Sequence, residues 1–263
     1  MAQYTIQSDK YLANNNKIYE VVMLSDKDGN IINSFGSASN IPIAAGSVDG
    51  YGHINKFGAT DGDITAGTIW DGNSAAVTYP YPSNSVIAVA STSNSGASVL
   101  VEGLDANFES VSETINIGST GSTVFSRIFR AIMVDTNNDA DVSLSMGGTV
   151  AAKIIEDQAQ TLMAVYTVPA GKTAYLLKTQ MGSDKASTNA ALKYSLKARD
   201  TDAGNVFQIK GISYAAGGQN VVVDYPIPLQ FTEKTDIRID VIASSGGQTC
   251  SATFDIILVD NPT

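Results

Sequence analysis

The chain has 263 residues, a formal net charge of -10 and a sequence pI near 4.4. Hydrophobic residues make up 43% of it and charged residues 16%, which is enough apolar side chain for one large or two ordinary cores and too little charge for a solvated, disordered chain. The net charge opposes phosphate backbones and anionic lipid heads, and the 16 Lys and Arg residues gather in no run, so neither nucleic acid nor a membrane is an expected partner.

In chain order, the first residues, Met1-Ala2-Gln3-Tyr4-Thr5-Ile6-Gln7, carry neither a basic nor an apolar leader segment. No window approaches about 18 apolar residues, so neither a classical secretion signal nor a membrane span is expected. Residues 1–36 read as an arm in which two strand runs, 19–24 and 31–35, flank the turn Asp26-Lys27-Asp28-Gly29-Asn30. Residues 34–85 are rich in Gly, Pro, Asn and Asp, and Tyr79-Pro80-Tyr81-Pro82 prefers an extended backbone poor in ladder bonds. Long loops laid over a sheet are expected there.

From about residue 85 apolar and polar residues alternate, as in Leu192-Lys193-Tyr194-Ser195-Leu196-Lys197-Ala198-Arg199 and Ile237-Arg238-Ile239-Asp240-Val241. This period predicts half-buried strands. Others are expected at 86–91, 98–104, 111–117, 124–134, 161–168, 173–181, 206–214, 221–225 and 254–259. Ala151-Ala152-Lys153-Ile154-Ile155-Glu156-Asp157 holds helix formers but is too short to choose helix over strand by periodicity, with at most one helical turn expected. Val168-Pro169-Ala170-Gly171-Lys172 suits a β-turn and predicts that strands 161–168 and 173–181 pair. The Gly pair in Ser145-Met146-Gly147-Gly148-Thr149 suggests a domain boundary. The expectation is an all-β chain of two antiparallel β-sandwich (jelly-roll-like) domains, 37–147 and 148–263, behind a long loop-rich N-terminal segment with the arm at 1–36.

Chemistry-bearing patterns are few. His53 is the one histidine, and no nucleophile elbow, Walker loop or dinucleotide fingerprint accompanies it. Cys250, the one cysteine, can form no intrachain disulfide, which fits synthesis in a reducing cytoplasm. Glu102, Asp105, Glu109 and Glu113 are carboxylates of the kind a glycosidase pairs across a sugar, but they read as exposed strand and turn positions. Asp135-Thr136-Asn137-Asn138-Asp139-Ala140-Asp141 spaces oxygen ligands like half a calcium loop, with Ala140 and Met146 where that loop needs Gly and Glu. A polar inter-strand loop is the expectation. The sequence thus assigns no catalytic, cofactor-binding or metal residue and implies no cofactor and no enzymatic activity. Tyr51, Tyr79 and Tyr81, with Trp70 nearby, are rings suited to a protein interface or a sugar platform.

Taken together, certain blocks resemble virion structural proteins of marine and cyanobacterial tailed bacteriophages. They are Ile43-Ala44-Ala45-Gly46, His53-Ile54-Asn55-Lys56-Phe57-Gly58, Thr68-Ile69-Trp70-Asp71-Gly72, Gly103-Leu104-Asp105-Ala106-Asn107-Phe108, Val165-Tyr166-Thr167-Val168-Pro169-Ala170-Gly171-Lys172 and Phe254-Asp255-Ile256-Ile257-Leu258-Val259. The resemblance covers residues 41 to 260 and implies a β-rich, non-enzymatic particle component. It suggests a capsid decoration (cement) protein, or a neck, collar or tail fibre component with host carbohydrate-binding activity. Implied partners are further copies of the chain, with a trimer favoured, and other virion proteins such as the major capsid protein. Its expected place is the virion, assembled in the host cytoplasm.

Overall fold

A computed structural model describes residues 11–14, 17–20, 24–25, 31–32, 40–60, 62, 64–72, 78–134, 136–184, 190–204, 206–244 and 248–262. Strands β1 (Tyr11–Asn14) and β2 (Lys17–Glu20) pair with each other, as do β3 (Leu24–Ser25) and β4 (Ile31–Ile32). The second pairing is the one the flanking apolar runs predict, and the turn at 26–30 lies outside the described residues. A single short helix among the described residues, α1 (Asn40–Ala44), leads into β5 (Tyr51–Ala59) and β6 (Ala66–Thr68).

The next six strands are β7 (Ile87–Ser91), β8 (Ser98–Leu104), β9 (Ser110–Asn116), β10 (Arg127–Val134), β11 (Val142–Met146) and β12 (Thr149–Ile154). They form two three-stranded antiparallel sheets, ordered β10-β8-β9 and β12-β11-β7. Alternate side chains of both sheets, among them Ile87, Val99, Val101, Phe125, Ile128, Leu144 and Ile154, close one core between them. Each such fully buried aliphatic or aromatic side chain contributes about 1.5–3 kcal/mol.

The remaining strands are β13 (Val165–Thr167), β14 (Lys172–Ser183), β15 (Ala191–Asp200), β16 (Gln208–Ala216), β17 (Asn220–Phe231), β18 (Thr235–Ala243) and β19 (Cys250–Asp260). With the earlier β5 and β6 they build a second sandwich. One sheet runs β17-β14-β19-β5, and the other runs β13-β18-β15-β16 with β6 also on β18. Its core holds Leu176, Tyr194, Ile237, Ile239, Phe254 and Ile256. The chain is all-β with antiparallel sandwiches, as the period-two alternation predicts.

Three local expectations are corrected and one open choice is decided. Gly147 and Gly148, with φ of 55° and 82°, are the tight turn of the β11–β12 hairpin, so the pair marks a hairpin rather than a boundary at 147/148. The two cores divide the chain differently, because β5 and β6 of the second sandwich precede the whole of the first. Residues 149–154 are strand, which decides the choice between helix and strand that periodicity left open. Strands β13 and β14 do not pair: Val168 bonds Thr235 and Lys234 on the five-stranded sheet, while β14 lies between β17 and β19, so the Pro-Gly turn carries the chain from one sheet to the other. Finally, 51–59 is a nine-residue strand paired along β19, although glycines at 52 and 58 dilute its alternation.

The two sandwiches share a seam at β13. Met163 and Val165 point into the first core, whereas Ala164, Tyr166 and Val168 point into the second. The segment after β6 behaves alike, with Ile69 in the second core and Trp70 in the first. A strand buried on both faces needs an uninterrupted apolar run, and Leu162-Met163-Ala164-Val165-Tyr166 supplies it. Gly58 of β5 closes this seam: a Cβ there would stand 2.2 Å from the amide nitrogen of Ala164 and 2.9 Å from the carbonyl oxygen of Ile69. Backbone cannot yield as a flexible side chain does, so Gly58→Ala is expected to cost about 1–3 kcal/mol or more, read as a lower urea midpoint at unchanged slope.

Candidate functional site

The outer face of the five-stranded sheet carries the molecule's densest polar cluster. The register sets Asp236, Arg238, Asp240 and Ile242 of β18 beside Arg199, Lys197, Ser195 and Lys193 of β15. In the sequence these are the polar positions of alternating strands. In the structure Asp236, Arg238 and Asp240 are buried as well, because the first sandwich lies against this half of the sheet, while Ile242 stays exposed.

Asp236 is fully buried. Arg127, at the start of β10 in the first sandwich, grips it bidentately, Nε to Oδ1 at 2.8 Å and Nη2 to Oδ2 at 3.0 Å. Arg199 Nε donates to Oδ2 at 2.8 Å and Thr167 Oγ1 to Oδ1 at 2.6 Å. Asp240 in turn accepts from Arg238 Nη2 at 3.0 Å and from Thr68 Oγ1 at 2.8 Å, and pairs with Lys197 at 2.9 Å. Burial by itself lowers the Arg127 pKa, but the hydrogen bonds and charge of Asp236 outweigh it, so the net shift is upward.

Aromatic rings seal the cluster. Trp70, Tyr79 and Tyr81 follow one another edge to face at 5.0 and 4.7 Å, and Tyr81 meets Phe207 at 5.3 Å. The guanidinium of Arg238 lies 4.0 Å from the Phe207 centroid, and that of Arg199 lies 4.5 Å from the Tyr81 centroid. Cation–π contacts are worth most when desolvated, about 2 kcal/mol. Tyr81 takes a left-handed φ of 47° to reach this position, a local strain of about 1 kcal/mol that the surrounding contacts offset. Its hydroxyl is held well above the usual tyrosine range, first by burial and then by Asp236.

The rings read in sequence as a contact surface or sugar platform are therefore corrected: Trp70 and Tyr79 belong to the first core and Tyr81 to the arginine cluster, leaving Tyr51 exposed on β5. The four acidic candidates do not converge on one cleft. Glu102 pairs with Arg130 at 3.1 Å, and Asp105 accepts the backbone amides of Asn107 and Glu109 in a turn. Glu113 accepts the amides of Ser122 and Thr123, which hold its carboxyl below its ordinary value against the upward push of what burial it has. Glu109 contributes its carbonyl to the same turn as Asp105.

His53 sits on β5 with Nε2 3.4 Å from Asp255, and Cys250 is a buried strand residue whose thiol burial pushes up to about 11. In the 135–141 loop, Asp135 lies outside the described residues. Asn138 is buried and ties the loop to the backbone at Ile155 and Ala159, while Asp141 pairs with Lys153 at 2.7 Å. Among the described residues no group of three or more His, Cys, Asp or Glu is placed to hold a metal ion. No described helix is long and apolar enough to cross a membrane.

Sequence reasoning did not single out Asp236, Arg127, Arg199, Arg238 or Phe207. The available signal was the acidic and basic alternation inside Asp236-Ile237-Arg238-Ile239-Asp240, in which opposite charges two residues apart share one sheet face.

No protein-family model matches the sequence, and no curated protein matches it, so the phage family that the residue blocks resemble gains no support there. Some solved structures give loose alignments. The particle of infectious bursal disease virus Gt strain aligns at TM-score 0.21 and 10% identity over 82% of this chain and 78% of that one. The Gx strain aligns at 0.22 and 11% over 80% and 71%, and the T=1 particles derived from the virus at 0.20 and 10% over 82% and 75%. Superpositions this loose do not align the folds strand for strand.

Two outcomes follow from the cluster and its border. Asp236→Ala leaves the largely buried Arg127 and the partly exposed Arg199 without their carboxylate and should cost about 3–5 kcal/mol, measured by chemical denaturation, whereas Glu102→Ala at an exposed pair should cost under about 1 kcal/mol. Asp71, beside Trp70, is fully buried and accepts the Leu162 amide at 2.6 Å, and burial raises its pKa well above the ordinary value. A raised folded-state pKa gives stability that is complete below about pH 4 and lost as pH rises toward that pKa. Asp71→Asn should accordingly gain on the native protein in denaturation midpoint from pH 5 to pH 7.5; a constant gap would contradict this.

Proposed function

We propose that the chain is a non-enzymatic structural protein of a virus particle, a capsid decoration (cement) protein that self-associates and docks on other virion subunits. The observation that supports this is the uncovered half of the five-stranded sheet. Past the arginine cluster, the same outer face ends in the row Ala66, Ile242, Lys193 and Tyr214, followed by Ile212 and Ile209 along β16. Tyr214 is 69% exposed, Ile242 53%, Ile209 50% and Ile212 46%.

At about 200 Å² for a large side chain, these four present on the order of 400 Å² of apolar surface. A standard interface takes about 800 Å² per partner, of which roughly 57% is apolar. The patch is therefore the right size for the apolar part of one subunit contact, and a second copy of this chain is the partner it fits. Lys210, left out of the β15 ladder by a bulge, guards the open edge of β16 against indiscriminate strand addition, so the contact is made by the face and not by the edge.

A cyclic oligomer, with a trimer favoured, would multiply this modest contact across the particle and let residues 1–36 engage neighbouring subunits such as the major capsid protein. Assembly in the host cytoplasm suits a chain whose one cysteine is buried and free.

Light scattering on the recombinant chain tests this. The native protein should run as an oligomer at micromolar concentration, and Ile212→Glu with Tyr214→Glu should run as a monomer with unchanged circular dichroism. A native protein that stays monomeric throughout that range would remove the proposal's support.

A further inference from the structure

Between the two sandwiches, away from the arginine cluster, β5 faces β8, β9 and β10 across a cleft of about 550 Å³. That size lies within the roughly 300–1,000 Å³ range of small-molecule sites. Lys56 lines the cleft and is buried, with 8% of its surface exposed. Its ammonium donates to the carbonyl oxygen of Phe129, its one hydrogen-bond partner among the described residues. An ammonium carries three donors, so two remain.

The other cations of the cleft each face a carboxylate. Arg130 pairs with Glu102 at 3.1 Å and Lys172 with Asp260. Among the described residues Lys56 alone of these cations has no such partner. Asp71 and Glu102 act on it at longer range and oppose Arg130, and burial of Asp71 holds that carboxyl toward its neutral form. Buried charges in folded proteins are paired almost without exception. Here the missing counter-charge has an open cleft beside it.

We propose that this cleft binds a carboxylate-bearing sugar of one or two rings, with the carboxylate neutralising Lys56. One positive charge without a partner matches a monoanion, and a dianion such as phosphate would meet the repulsion of a chain carrying ten net negative charges. Ser110 and Ser112 supply hydroxyl groups on the cleft wall for a sugar's hydroxyls. Phe129 and Tyr166, paired at 4.6 Å, supply its apolar lining. This site is separate from the uncovered sheet face and stands or falls without it.

Burial, followed by repulsion from Arg130, lowers the Lys56 pKa to about 8. A carboxylate needs the charged form, so affinity should fall as pH rises through that value. His53, Lys172, Arg130 and Glu102 also face the cleft, which is why the comparison starts at pH 7 and uses a Lys56 variant.

The full chain is titrated by calorimetry with methyl glucuronide, methyl glucoside, octanoate and inorganic phosphate. The glucuronide should bind at millimolar concentration at pH 7, at least about tenfold tighter than the glucoside, and should weaken at least about tenfold by pH 9.5. Lys56→Met should erase the preference for glucuronide while keeping the near-ultraviolet circular dichroism. If that variant does not fold, the pH series on the native protein decides. Equal binding of glucuronide and glucoside, binding independent of pH or of Lys56, preference for octanoate or phosphate, or no binding of any of the four would overturn the assignment.

Discussion

The structure depends on one buried carboxylate. Asp236 draws Arg127 from the first sandwich and Arg199 and Thr167 from the second onto a single group with no exposure to water. Desolvating an acid and two guanidinium groups costs several kcal/mol per ion, and only the fork geometry and the surrounding rings recover it. A cluster so demanding of geometry contributes orientation more than net stability: the two cores can slide past each other no further than those hydrogen bonds allow. The doubly buried strand β13 supplies the apolar complement, placing alternate side chains in each core.

This arrangement explains why the outer face of the five-stranded sheet divides in two. The half at Asp236 and Arg238 is covered by Tyr81, Phe207 and β10, while the half at Tyr214, Ile212 and Ile242 is left to solvent. It also explains the cleft around Lys56, which exists because the sandwiches meet along the β13 seam and diverge on the β5 side. The proposed subunit contact and the proposed ligand cleft would thus be separate consequences of how one sandwich is set on the other.

The strands themselves were legible from the alternation of Leu192 to Arg199, Ile237 to Val241 and their neighbours, since a period of two has one physical meaning. Connectivity was not. The pairing of β13 with β18 spans about seventy residues, and nothing in Val168-Pro169-Ala170-Gly171-Lys172 tells a hairpin from a crossing between sheets. Nor did the sequence mark β5, whose Gly58 is required by the close approach of Ala164 and Ile69 and so removes a side chain from the pattern that would have revealed the strand. The site residues were hidden for a related reason. A charged position on a strand reads as solvent-facing unless another layer covers it, and only the tertiary fold brings Arg127 to Asp236. The loop aromatics failed in the opposite sense: Tyr79 and Tyr81, each just before a proline, look exposed, yet Tyr79 packs into the first core and Tyr81 turns through a left-handed φ that sets its ring on the arginine cluster.

A particle component is defined by where it resides. The most direct measurement is the copy number of this chain in purified virus particles by quantitative mass spectrometry against a known capsid subunit. The account predicts a stoichiometric presence on the order of the capsid symmetry, as a decoration layer requires; about a dozen copies would move the chain to the neck or tail, and its absence from particles would contradict the account outright.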